Sequence, residues 1–240
     1  MKDMAGQAQE VPGAIVLARE LVKRGDEAGA QKMAEAIADP KVRQRVLDTM
    51  PQILVQASAE AGDVKRAEKH LMAMPEEKRS FTFYVDIATA MRKAGDRDGF
   101  HRMLQGARAQ ADLKKNASFR ATAHRQLAYH AALAGDVQGA LAFARRLEDP
   151  KERDGAINGA VNGCVQSRNV PAAWSLLPEI GPGQERTSAV VTTARYAVAC
   201  NQVADLVQRI DALPPQDRAR ACLGVIESYV EPMVLNPDPR

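Results

Sequence analysis

Apolar positions in this chain fall at helical spacing inside short phrases, and the phrases repeat. "LAGDVQGALAFARRLEDPKERDGAI" from Leu133, "QSRNVPAAWSLLPEIGPGQERTSAV" from Gln166 and "CNQVADLVQRIDALPPQDRARACL" from Cys200 set Val137, Val170 and Val203 33 residues apart at each step. Upstream the phrase returns as "RGDEAGAQKMAEAIADPKVRQRV", "AGDVKRAEKHLMAMPEEKRS" and "AGDRDGFHRML". The turn glycines Gly25, Gly62, Gly95 and Gly135 are spaced by 37, 33 and 40 residues, so the first and last intervals exceed 33 by 4 and 7, close to one and two helical turns. Whole-turn insertions keep a buried face buried. The first is expected to lengthen a helix around 42–61, where Pro51 is placed to kink it, and the second to fall near 106–116.

Each phrase carries its own punctuation. A helix ends at the Gly of Ala-Gly-Asp, where glycine takes the left-handed conformation, and the following Asp is placed to cap the next helix. The second helix runs to a proline, at Pro40, Pro75, Pro150, Pro182 and Pro214, where a new helix starts. The pattern predicts helix pairs over roughly 11–38, 41–74, 76–112, 116–148, 151–179 and 183–213 and a last helix over 216–231. One helical-repeat domain, 11–231, would lie between mobile tails at 1–10 and 232–240. No pair buries both of its apolar faces alone, so neighbouring pairs stack and the product is an all-α αα-solenoid.

"AGDVQGALAFARRLEDP" and "AGDVKRAEKHLMAMP" resemble the tetratricopeptide repeat, whose units share a Gly-Asp turn, a small residue four positions after that Asp and a closing proline. Ala67 and Ala140 are those small residues here, with Ala30 and Ala173 close to the same place. The resemblance runs from about Val11 to Val230, with departures: His124 and Ala131 stand where the family has bulky aromatics, and the period is 33. It implies a right-handed superhelix and a non-catalytic scaffold, whose first helices line a concave groove for a peptide or a partner's helix. By matching register the groove-facing residues would be Thr122, Arg125 and Tyr129 in the fourth pair, Gly155, Asn158 and Asn162 in the fifth, and Ser188, Thr192 and Arg195 in the sixth.

The fifth pair contains "GAINGAVNGC", in which Gly155, Gly159 and Gly163 are four residues apart inside a helical pattern. Each costs about 0.8–1 kcal/mol relative to alanine, so something must approach closely enough to compensate. Two readings stand. The stripe forms part of a ligand-binding floor, with Asn158 and Asn162 donating and accepting and Arg125 and Arg195 offering charge-assisted bonds to a carboxylate; or it seats an adjoining helix.

Composition narrows the function classes. Apolar residues make up 45% of the 240 residues and charged ones 26%, as in an ordered globular chain, while 4% aromatics and abundant alanine leave no expectation of a sheet. A net charge of +3 with interspersed signs lacks the footprint of a nucleic-acid binder, the weaker alternative here. No 18-residue apolar run exists to span a membrane. Cys164, Cys200 and Cys222 show no CxxC pair and read as reduced, buried thiols, which favours the cytoplasm, whereas "GQAQE" resembles the start of a mature exported chain. His70, His101, His124 and His130 lack HExxH spacing, and there is no GxSxG, P-loop or dinucleotide fingerprint, so no metal, cofactor or catalysis is expected. A third reading is a helical accessory part of an enzyme, with Arg125, Tyr129, Asn162 and Arg195 lining a closed small-molecule pocket.

Three further features bear on packing. Arg43, Arg79, Arg153, Arg186 and Arg218 recur just after the proline loops, where the helix dipole opposes a cation. Each is expected to pair with an acid such as Asp39, Glu148, Asp149 or Glu179, the alternative being an anion-binding ridge. In "FTFYV", Phe83 is the expected core residue, with Phe81 and Tyr84 sharing a face. Trp174 is expected to be buried with its indole N–H on a carbonyl.

Overall fold

The computed structural model describes residues 2–231, with side chains from residue 11 onward, and among those residues there is no strand. Thirteen α-helices follow one another: α1 (Lys2–Lys23), α2 (Glu27–Glu35), α3 (Pro40–Glu60), α4 (Val64–Ala73), α5 (Phe81–Lys93), α6 (Arg97–Asp112), α7 (Ala117–Leu133), α8 (Val137–Ala144), α9 (Pro150–Gln166), α10 (Val170–Leu176), α11 (Gln184–Ala199), α12 (Val203–Ala212) and α13 (Pro215–Val230). This is the all-α array of six pairs and a terminal helix that the repeats predict. α1 begins at Lys2, ahead of the expected start at Val11, and the C-terminal tail expected over 232–240 lies outside the described residues.

The two insertions fall where expected. α3 has 21 residues against 17 in α9 and holds Pro51 in its interior, and α6 has 16 against 8 in α8. Lengthening by whole turns leaves the apolar stripe in phase.

Every hairpin turn is built alike. The N–H groups of Asp26, Asp63, Asp96, Asp136, Asn169 and Gln202 each donate to the carbonyl five residues back, satisfying the end of the preceding helix. The residue before each is left-handed: Gly25, Gly62, Gly95 and Gly135 at φ between +77° and +86°, then Arg168 at +59° and Asn201 at +57°. The carboxylates of Asp26, Asp63, Asp96 and Asp136 and the Asn169 amide oxygen then accept from a first-turn N–H of the next helix, at 2.7 to 3.2 Å.

The joints between pairs correct the expectation for the arginines. Arg43 donates to the Ile37 carbonyl, Arg79 to Met74 and Met72, Arg120 to Lys114 and Lys115, Arg153 to Leu147 and Glu148, Arg186 to Leu177 and Ile180, and Arg218 to Asp211 and Leu213. Six guanidinium groups therefore bind backbone carbonyls where the previous pair ends, and Arg186 also reaches a carboxylate, Asp217 Oδ2 at 2.6 Å. A cation is unfavourable at the start of its own helix but favourable beside the carbonyl end of the one before, which resolves the dipole conflict.

By contacts the chain divides into two compact units, residues up to Gln110 and residues from Ala111 onward, where one domain was expected. In the first unit Ala18, Val22, Ala30, Ala34, Val42, Val46, Met50, Ile53 and Ala57 form a continuous core. Phe81, Tyr84 and Val85 are buried along with Phe83, so the whole aromatic cluster packs inward; the Tyr84 ring covers Gly106. In the second unit Trp174 is buried as expected, but its indole N–H has no hydrogen-bond partner. Of the thiols only Cys164 is buried; Cys200 is half-buried and Cys222 exposed, and all three are free.

Candidate functional site

The sequence-predicted residues all lie in the second unit, on α7, α9 and α11. There α7 packs on α9, α9 on α11 and α11 on α13, while α8, α10 and α12 each pack against the first helices that flank them in sequence. The first helices thus form one layer, and the nine residues lie on three consecutive members of it.

Solvent reaches seven of the nine: Thr122, Arg125 and Ser188 are exposed, and Tyr129, Asn162, Thr192 and Arg195 half-buried, whereas Gly155 and Asn158 are buried. The glycine stripe explains why. A Cβ on Gly159 would stand 3.1 Å from the Arg125 carbonyl oxygen, and one on Gly163 would collide with the Tyr129 carbonyl and come within 2.9 Å of the Leu133 nitrogen. At Gly155 the space is filled by the Arg125 guanidinium, 2.7 Å from where a Cβ would be. The close approach is made by α7, so the stripe is a helix-packing surface and gives a ligand no floor. Asn158 is likewise occupied: its Nδ2 donates to Glu185 Oε2 at 2.5 Å.

Polar ties of this kind cross each seam. Arg125 stands 3.6 Å from Glu152 and the Tyr129 hydroxyl donates to Gln166 at 2.8 Å, both between α7 and α9. Asn158 and Glu185 tie α9 to α11, and Arg195 with Glu227 at 3.5 Å ties α11 to α13. Arg125 and Asn158 are 33 residues apart, as are Glu152 and Glu185, so the first two ties occupy one repeat position. The sequence reading missed Glu152 and Glu185, although their shared spacing was a usable signal. An incoming carboxylate must therefore compete with Glu152 for Arg125 and with Glu227 for Arg195. Two buried atoms here have no partner, Asn158 Oδ1 and Arg195 Nε.

The first unit holds two clefts that the sequence reading did not anticipate. One, of about 370 Å³, is lined by Leu47, Met50, Pro51, Leu54, His70 and Met74 among others. The other, of about 200 Å³, lies between α3 and α5 and is lined by Ala59, Glu60, Gly62, Asp86, Thr89, Ala90 and Lys93. Beside it Glu60 binds Arg19 and Lys23 of α1, and Gln56 Nε2 donates to Asp86 Oδ2 at 3.3 Å. Burial raises the Asp86 pKa against that hydrogen bond, and the nearby Glu60 charge adds to the rise. In the second unit burial pushes the Cys164 thiol up to about 11.

His70 and His124 each meet a carboxylate, Glu27 at 2.8 Å and Asp112 at 3.0 Å. Among the described residues no group of three or more potential ligands is arranged to hold a metal, and no helix is long and apolar enough to cross a membrane.

The described residues are thus all-α, and in the second unit the first helices α7, α9 and α11 pack side by side and carry a polar face. No protein-family model, curated protein or solved structure matches the chain.

Proposed function

We propose that the protein is a non-catalytic interaction scaffold of tetratricopeptide-like type that binds an extended peptide or a partner's helix across the first helices of its second unit. The supporting observation is the row of solvent-reached, hydrogen-bonding side chains on three adjacent helices: Thr122, Arg125 and Tyr129 on α7, Asn162 on α9, and Ser188, Thr192 and Arg195 on α11. Its hydroxyl and amide groups both donate and accept and its two guanidinium groups donate, a chemistry suited to a peptide backbone and its polar side chains. Gly155 and Asn158 support the face from beneath, since both are buried in the seams.

The test is a peptide-display selection on the intact chain, followed by affinity measurement for a variant carrying Tyr129→Ala, Asn162→Ala and Thr192→Ala. Gln138→Ala, exposed on α8, serves as control. The variant should bind selected peptides at least about tenfold more weakly, a loss of ~1.4 kcal/mol, with unchanged helicity. Equal binding by variant and wild type overturns the assignment. Recovery of nucleic acid with a steep loss of affinity in salt overturns the partner class.

A further inference from the structure

The cleft between α3 and α5 stands at a register where two other seams are closed. Counted back from the left-handed residue of each hairpin turn, Arg19 of α1 and Tyr129 of α7 hold the sixth position, and Glu60 of α3 and Gln166 of α9 hold the second. Arg19 binds Glu60 and Tyr129 donates to Gln166 at 2.8 Å, so the α1–α3 and α7–α9 seams are tied across at these positions. Between α3 and α5 the same two positions are Gln56 and Lys93. They do not bind each other: Gln56 turns to Asp86, and Lys93 is exposed, with no ion pair among the described residues. The tie is absent, and about 200 Å³ of open space takes its place.

Small residues make the room and one acid faces it. Ala59 and Gly62 border the cleft from the end of α3 and its turn, and Ala90 from α5, none with a side chain larger than a methyl group. Asp86, Thr89 and Lys93 follow at i, i+3 and i+7 along one face of α5. Asp86 is half-buried, accepts one hydrogen bond, from Gln56 at 3.3 Å, and forms no ion pair among the described residues. Its surroundings leave that charge uncompensated. Glu60, also on the cleft, already holds Arg19 and Lys23. α3 and α5 both end beside the cleft, at Glu60 and Lys93, so their carbonyl ends add partial negative charge. Burial foremost, with the Glu60 charge, raises the Asp86 pKa against the Gln56 bond, as expected of a carboxylate in a cleft that lacks its cation.

Size and charge together define the ligand. The space is smaller than the about 300–1,000 Å³ of sites for drug-sized molecules, so it takes one small group. A divalent metal ion is ill matched, since it needs about six oxygen ligands and no group of three or more candidate ligands is arranged for one among the described residues. We propose that the cleft binds a primary ammonium group on a short alkyl stem, the ammonium on the Asp86 carboxylate and the Thr89 hydroxyl oxygen and the stem along Ala59, Gly62 and Ala90. An ammonium offers donors and a compact charge, which suits these acceptors, and a stem of the lysine kind lies along small apolar walls while its head stays among polar groups. A free alkylamine and the lysine side chain of a peptide both present this chemistry. The cleft is in the first unit and shares no residue with the polar face of α7, α9 and α11, so failure of this proposal and failure of the peptide-binding reading are separate results.

The experiment is a nuclear magnetic resonance titration of the isotope-labelled full chain with n-butylammonium chloride, with n-butanol as the uncharged counterpart and sodium chloride as the ionic-strength control. The ammonium should shift the amide signals of Ala59, Thr89 and Ala90, and neither control should. Asp86→Asn should weaken binding at least about tenfold with an unchanged circular-dichroism spectrum, as loss of one partner of a charged pair does. Thr89→Leu, which keeps every charge and fills the cleft, should weaken it as much. Lys93→Met, which removes a like charge at the rim, should leave it no weaker. A parallel titration with Nα-acetyl-lysine amide separates the sources: binding as tight as that of butylammonium assigns the cleft to a lysine side chain, and binding of butylammonium alone assigns it to a free amine, either of which supports the site. Amide signals that stay in place, equal shifts with n-butanol, or full affinity in Asp86→Asn overturn the proposal. So does binding that emerges only in Lys93→Met, which would mean that the chain's own lysine fills the cleft.

Discussion

Two seams between successive first helices, one in each unit, are built by opposite means. Between α7 and α9 the missing side chains of Gly159 and Gly163 let α7 carbonyls settle directly against the α9 backbone. Between α3 and α5 no glycine lies in either helix, and the seam retains a cleft of about 200 Å³, spanned at its edge by the 3.3 Å bond from Gln56 to Asp86. Interaxial distance follows the size of the side chains at the contact, so the same repeat gives a closed seam or an open one according to a few residues. What the closed seam costs in helix propensity it regains in packing, and what the open seam avoids in glycine it loses in a half-buried carboxylate.

The sharpest way to break the closed seam is Gly163→Ala. Its Cβ would meet two backbone atoms that cannot turn aside, so α7 and α9 must separate; a loss of about 3 kcal/mol is expected in urea unfolding. A loss below about 0.5 kcal/mol would mean that the stripe is not what sets the spacing. Next in size is Arg153→Met at the joint before α9, which removes charge-assisted bonds to the Leu147 and Glu148 carbonyls and should cost about 2 kcal/mol. Arg79→Met in the first unit should cost a similar amount, because the joint is common to both units even though the seams differ; a large disparity would contradict that equivalence.

Gly155→Ala sharpens the comparison from the other side. There the obstacle is the far end of the flexible Arg125 side chain, so the guanidinium swings away and the helix gains about 0.8 kcal/mol, seen as a higher melting temperature. Two alanines on one stripe thus act with opposite sign. The smallest effect belongs to the open seam. An acid whose pKa is raised on folding binds more protons folded than unfolded, so its contribution to stability declines as pH rises from the ordinary value of 3.8 through the raised one. Asp86→Asn removes that decline while keeping an acceptor for Gln56. It should raise the melting temperature at pH 7 and leave it unchanged at pH 3; an equal change at both would assign the effect to packing.

Much of this architecture was legible because the repeat writes its boundaries in residues with one dominant local role. Left-handed glycines and capping aspartates place the hairpins of the first four pairs within a few residues, and Pro40, Pro75 and Pro150 mark three of the four joints. The fifth and sixth turns, with Arg168 and Asn201 in the glycine position, were found only by counting from the others. The candidate face was half legible. Periodicity placed Asn158 and Asn162 on one stripe, but the difference between them depends on how closely α11 covers α9, which no local pattern encodes. The arginines show a sharper limit. Charge invites a search for an opposite charge, and the groups that Arg43, Arg79, Arg153 and Arg218 bind are backbone carbonyls, identical in every residue and so invisible as letters. Trp174 is the converse, a donor whose expected acceptor did not materialise because burial was dictated by its rings.

The arginine joint also bears on how such a chain can change. A guanidinium that grips main-chain oxygens imposes no demand on the side chains of the loop it closes, and the loops show this latitude: "IADP", "MPEEKRS", "DLKKN", "LEDP", "EIGPGQ" and "LPPQD" differ in length, charge and proline content yet are all held by an arginine just before or within the first turn of the following helix. Drift, lengthening or replacement of a connector leaves the hinge between modules intact, so variation in these segments is close to free. A single inherited residue per module is enough to keep the stack aligned while everything around it is rewritten.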